Sequence, residues 1–140
     1  MVESPRRVFF LSPASSSGER AAMLLREQAQ FELARRLRSR EGVPLGAVFA
    51  FLSGLYFRGK LAYATRFAPG SVFIITPCAG LVSPETPVRR QDLLRYARVA
   101  ISASEPAYRR PLTRDVRELA RHAGGKATAV LLGSIATDKY

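Results

Sequence analysis

Three short apolar runs constrain this chain more than any other feature: RVFFL at 7–11, SVFIIT at 71–76 and ATAVLLGSI at 127–135. Each is rich in β-branched or aromatic residues, lacks the polar alternation of a half-exposed strand, and is bounded by turn residues, so each reads as a strand buried on both faces. Helix-like sequence separates them, which implies parallel rather than hairpin pairing. The expectation is a three-layer α/β domain with a mostly parallel sheet, the first run lying centrally and helices covering both sides.

Between the first two runs, residues 14–18 (ASSSG) read as a loop. Residues 19–40 read as one amphipathic helix with Ala22, Leu25, Ala29, Leu33 and Leu37 inward and Arg26, Arg35, Arg36, Arg38 and Arg40 on the outer face and last turns. Residues 45–68 keep helical spacing but are apolar on most sides, which suits a buried helix pair kinked at Ser53-Gly54, with Tyr56 in the core. After the second run, 78–88 reads as loop, 89–98 as a short helix, 99–102 as a short edge strand, and a helix follows Thr113 and ends at Gly124-Gly125. The sequence stops where Thr137 or Asp138 would cap a helix after the third strand, so the domain reads as truncated relative to a longer protein. Val130, Leu132 and Ile135 are then expected to be under-covered, which favours self-association.

At 140 residues the chain allows one domain, 1–140. No apolar run approaches the roughly 20 residues of a membrane span, and Val8 to Leu11 is too short for a signal-peptide core, so a cytoplasmic location is expected. The single cysteine, Cys78, and single histidine, His122, exclude an internal disulfide and a Cys/His zinc site. No metal or cofactor is expected. The net charge is +11, with 19 arginines among 22 basic residues. Such a charge attracts nucleic acid, an anionic surface or a phosphorylated small molecule, although the arginine excess also fits base composition alone.

Parallel strands bring their carboxyl ends to one edge, so residues 12–20, 76–81 and 133–140 should converge. Ser12 and the Ser15-Ser16-Ser17-Gly18 loop (Ser15 and Ser17 foremost), with Arg20 just beyond, offer hydroxyls, backbone N–H groups and a cation to an anion, or simply form a turn and cap; the spacing is not that of a P-loop. Thr76 and Gly80 follow the second strand. Arg58 and Lys60 interrupt the most apolar helical stretch, two residues apart and so about 200° apart around a helix, unless Gly59 breaks it. One of them is expected to meet an anion at the Ser12, Ser15, Thr76 and Gly80 edge, with Arg58 favoured for its planar fork; the alternative is that both snorkel into water. Cys78 reads as a nucleophile or a small packed residue, Asp138 as an acid or a helix cap, and His122 as a surface residue near a helix end.

The pieces VFFLSPA at 8–14, IITPCAGLVSP at 74–84 and VLLGS at 130–134 with Lys139-Tyr140 resemble signatures of the peroxide-stress YaaA family and its uncharacterised bacterial relatives. That family is substantially longer, and its basic C-terminal Gly-Leu-Met-Ser-Arg type motif has no counterpart here. The resemblance implies an α/β core with a positively charged cleft, DNA binding, and distant similarity to uracil-DNA glycosylase-type folds, whose acid and histidine motifs are not visible. Two functions follow as expectations. One is binding of nucleic acid through a basic cleft; the other is nucleotide or nucleobase processing of N-glycosidase type, with Tyr56, Arg58 and Lys60 orienting the substrate.

Overall fold

The computed structural model describes residues 6–53, 55–123 and 127–133. In chain order the elements are β1 (Arg6–Leu11), α1 (Glu19–Leu25), α2 (Glu32–Leu37), β2 (Val43–Pro44), α3 (Leu45–Ser53) and α4 (Leu55–Phe67). Then come β3 (Val72–Ile75), β4 (Leu81–Val82), β5 (Pro87–Val88), α5 (Arg90–Ala97), α6 (Pro106–Ala123) and β6 (Ala127–Leu132). The three apolar runs form the parallel part of one sheet of order β4-β3-β1-β6, with β1 between its partners. β4 closes the far edge antiparallel to β3. β2 and β5 pair separately as a short antiparallel ladder.

Register decides which side chains share a face. Phe9 lies opposite both Val72 and Val130, and Leu11 opposite both Ile74 and Leu132. These residues meet Leu24, Leu37, Phe49, Phe57 and Leu93 from α1 to α5 in the main core. Each fully buried side chain of this size contributes roughly 1.5–3 kcal/mol of hydrophobic stabilisation. The alternate residues Val8 and Phe10 point to the other face, where α6 covers them with Val116, Leu119 and Ala120 around an apolar gap of about 120 Å³. Among the described residues helices therefore cover both faces, one face deeply and the other with a single helix. No helix among the described residues is long and apolar enough to cross a membrane.

Four local expectations are corrected. The stretch 19–40 is two helices rather than one, because arginine side chains take the carbonyls that the break exposes. Arg90 donates through Nε and Nη2 to the Leu25 carbonyl at 3.2 and 3.0 Å, and Arg38 donates to the Ala29 carbonyl at 2.6 Å. The break also lets Phe31 stack on Phe51 at 5.8 Å. Residues 99–102 form no strand, since the edge of β3 is already taken by β4, itself expected as loop. The last helix begins at Pro106, seven residues before Thr113. Proline is tolerated in the first turn, the Glu105 carboxylate accepts the Ala107 N–H at 3.2 Å, and the buried Tyr108 anchors the turn. Finally, α4 runs unbroken through Gly59, and Tyr56, expected in the core, is 62% exposed.

The helix pair α3 and α4 forms, with Phe49 and Phe57 edge to face at 5.6 Å, but only α3 is largely buried: α4 buries Phe57 and Ala64 and leaves Tyr63 and Phe67 about half exposed. In β6, Val130 and Leu132 are half-buried and Ala129 is exposed, while Ile135, Thr137 and Asp138 lie outside the described residues.

Asp115 of α6 accepts the Leu81 N–H at 3.0 Å, tying the single covering helix to the turn between β3 and β4. Gly80 makes this approach possible. Its φ is +69°, and a Cβ there would stand 2.1 Å from Asp115 Oδ2 and 2.8 Å from the Pro111 carbonyl. Gly80→Ala is therefore expected to cost on the order of 2 kcal/mol or more, read as a lower urea midpoint, whereas Gly70→Ala, also at positive φ but with nothing within 4 Å, should cost less.

Candidate functional site

β3 and β6 flank β1 in parallel, so all three strands end at one carboxyl edge. Open α/β sheets bind ligands outside the carboxyl ends of their strands. Ser12, the first residue after β1, sits at this edge. Its N–H continues the ladder to the Leu132 carbonyl at 3.0 Å, and its side chain is buried. Gly133, the first residue after β6, lies so close that a Cβ would be 2.1 Å from Ser12 Oγ.

Lys60 reaches this edge from α4. Its Nζ donates to Ser12 Oγ at 2.7 Å and lies 3.3 Å from the Ser12 carbonyl. The ammonium stands over the rings of Tyr56 at 4.7 Å and Phe57 at 5.3 Å. Among the described residues no carboxylate pairs with it. Burial alone holds its pKa below the usual lysine value. Arg58, the residue favoured from sequence, is exposed and makes no hydrogen bond or ion pair among the described residues. Two positions along a regular helix cannot share a face, and the shorter route to Ser12 belongs to Lys60.

The other expected residues divide by what they already bond. Arg20 donates to the Phe51 carbonyl at 2.9 Å and lies over the Phe51 ring, satisfying the end of α3. Thr76 is buried; its Oγ1 donates to the Gly80 carbonyl at 2.8 Å and accepts the Ala79 N–H at 2.9 Å. Thr76 and Gly80 thus close their own turn, with the Asp115 carboxylate against Gly80. That is a poor place for an anion. Ser15 and Ser17 are exposed, and Ser16 between them is buried. This loop forms one wall of a cavity of about 470 Å³ whose opposite wall is the end of α5 and residues 97–101.

Cys78 is half-buried, and burial pushes its thiol up, opposed by the Arg95 guanidinium. A protonated thiol is a poor nucleophile, which favours the packed reading. Burial also pushes Tyr96 up to about 12, so its phenol stays a neutral donor. His122 is exposed, with Nε2 4.0 Å from the Glu118 carboxylate.

One arrangement escaped the sequence reading. Arg110, Arg114, Arg117 and Arg121 are all exposed on α6. Their 4-3-4 spacing confines them to an arc of about 60° and a length of about 16 Å. The buried Tyr108 and the sheet-facing Leu119 lie on the opposite side. Only Arg114 of the four forms an ion pair among the described residues, with Asp115 at 3.0 Å. The spacing itself was the available signal. It was missed because the helix was taken to begin after Thr113, which left Arg110 outside it.

Compared with known proteins, the chain matches no family model, no curated protein and no solved structure.

The Lys60 environment has a pH consequence. An unfolded lysine holds its proton to about 10.5, and in the fold Lys60 loses it earlier. Between the folded value and that limit the unfolded chain binds more protons, so the Lys60 contribution to stability rises with pH. Relative to Lys60→Met, the parent should gain stability as pH goes from neutral to alkaline, read as converging or crossing urea midpoints. A constant offset would mean that Lys60 titrates alike in both states.

Proposed function

We propose that this domain binds nucleic acid through the phosphate backbone. The observation that carries the reading is the arginine stripe on α6, aimed away from the sheet on a chain of net charge +11. Guanidinium groups fork onto phosphate oxygens in two bonds, and a rail about 16 Å long spans several phosphates of one strand. An anionic membrane would also attract this charge, but stable interfacial helices need an apolar face free to insert. The apolar face of α6 is spent on Val8 and Phe10. The resemblance to the YaaA family supports the same direction, with the contact moved from a cleft to a helix face.

The N-glycosidase alternative calls for an acid or base beside the scissile bond. None of the described residues lining the cavity at the carboxyl edge is Asp, Glu or His. Binding without turnover is therefore the reading we adopt.

Fluorescence anisotropy with a labelled duplex and with the matching single strand, across a salt series, tests it. Replacing the four arginines by glutamine should weaken binding at least about tenfold and flatten the slope of log K against log salt by about 3 to 4, since each neutralised phosphate contributes about 0.9. Changing Arg35, Arg36 and Arg40 of the α2 region should have a smaller effect. Equal losses in both variants would mean diffuse charge, and base release from the duplex would restore the enzyme reading.

A further inference from the structure

The cavity beside the carboxyl edge lies apart from the arginine stripe and has its own chemistry. It is walled by the Ser15–Ser17 loop on one side and by the chain leaving α5 on the other, and at about 470 Å³ it falls within the usual range of small-molecule sites. Ser16 is 8% exposed, and its Oγ is buried without a hydrogen-bond partner, the one such side-chain atom among the described residues. Buried hydroxyls almost always find partners, so an orphan calls for a missing one. The backbone N–H groups of Ser15, Ser16 and Ser17 are likewise not used by other described residues.

The remaining wall is complementary. Arg98, the residue after α5, lines the cavity, and among the described residues it forms no ion pair and no carboxylate lines the cavity. A set of donors with one cation and no acid suits an anion with several acceptor oxygens. Pro13, Pro77, Val99 and Ile101 supply apolar surface that a bare phosphate would leave uncovered.

We infer that this cavity holds a phosphate monoester carried on a flat, partly apolar group, of the size of a nucleoside monophosphate. The phosphate accepts from the Ser15–Ser17 loop, with Ser16 Oγ turning toward it by a change of rotamer, and from Arg98 across the cavity. The ring lies against the prolines and the Val99–Ile101 segment. The same chemistry is offered by a free nucleotide and by the 5′-phosphorylated end of a strand. This site does not depend on the duplex reading, which the stripe carries alone.

Titration calorimetry on the full chain tests it with adenosine 5′-monophosphate, adenosine and inorganic phosphate, together with a trinucleotide bearing a 5′-phosphate or a 5′-hydroxyl. The monophosphate should bind in the micromolar to millimolar range and at least about tenfold tighter than adenosine or inorganic phosphate. A preference for the phosphorylated trinucleotide over the mononucleotide identifies a strand end; the reverse identifies a free nucleotide. Ser16→Ala and Arg98→Ala should each weaken binding about tenfold, while Arg36→Ala leaves it unchanged. Ser16→Ala also removes an unsatisfied hydroxyl, so its unfolding midpoint should hold or rise, which separates lost binding from lost folding. Absence of binding at millimolar nucleotide, equal affinity for adenosine, or full affinity in both cavity variants overturns the inference.

Discussion

The backbone of β1 is hydrogen-bonded on both sides, and the rest of the molecule is arranged around that fact. A strand paired in parallel on each edge has no polar backbone left for solvent, so its side chains must be covered above and below. Phe9 and Leu11 meet that demand with five helices, Val8 and Phe10 with one. The same pairing carries Ser12 to the carboxyl edge of the sheet. Lys60 finds Ser12 there because α4 packs against β1 and β3, and no carboxylate among the described residues neutralises it.

Much of this architecture was legible in the sequence because burial on both faces writes itself as uninterrupted apolar runs. The three strands and the α3 and α4 pair came from that signal, and α5 from the spacing of Leu93, Leu94 and Ala97. What failed were boundaries set by groups distant in sequence. Nothing local to residues 26–31 announces a break; its carbonyls are taken by Arg38 and Arg90, and the latter lies 65 residues from Leu25. The start of α6 was misplaced for a similar reason. The buried Tyr108 anchors its first turn, and the helix carries Pro111 inside it.

The carboxyl edge was legible in outline, but which side chain reaches Ser12 was not. Sequence placed hydroxyls and a cation at the carboxyl edge, which is where Ser12 and Lys60 meet. It chose Arg58 over Lys60 on the merits of the guanidinium fork, but reach and helix phase decided the matter. Thr76 and Gly80 were named for their position, and their hydrogen bonds are spent on their own turn. The serine loop was legible as a unit, but the burial of Ser16 between two exposed neighbours was not, because alternation within a loop carries no burial signal.

Arginine here does two kinds of work. Arg20, Arg38 and Arg90 hold backbone carbonyls at helix ends, whereas the residues of the α6 stripe face water. Formal charge counts both alike. A lysine in place of Arg90 would keep the charge and lose the fork that grips the Leu25 carbonyl with two nitrogens. For anyone redesigning this protein, or tracing its drift between genomes that favour different codons, the arginines are therefore not one exchangeable class: those at the helix breaks are part of the frame, and those on the stripe can change without disturbing it.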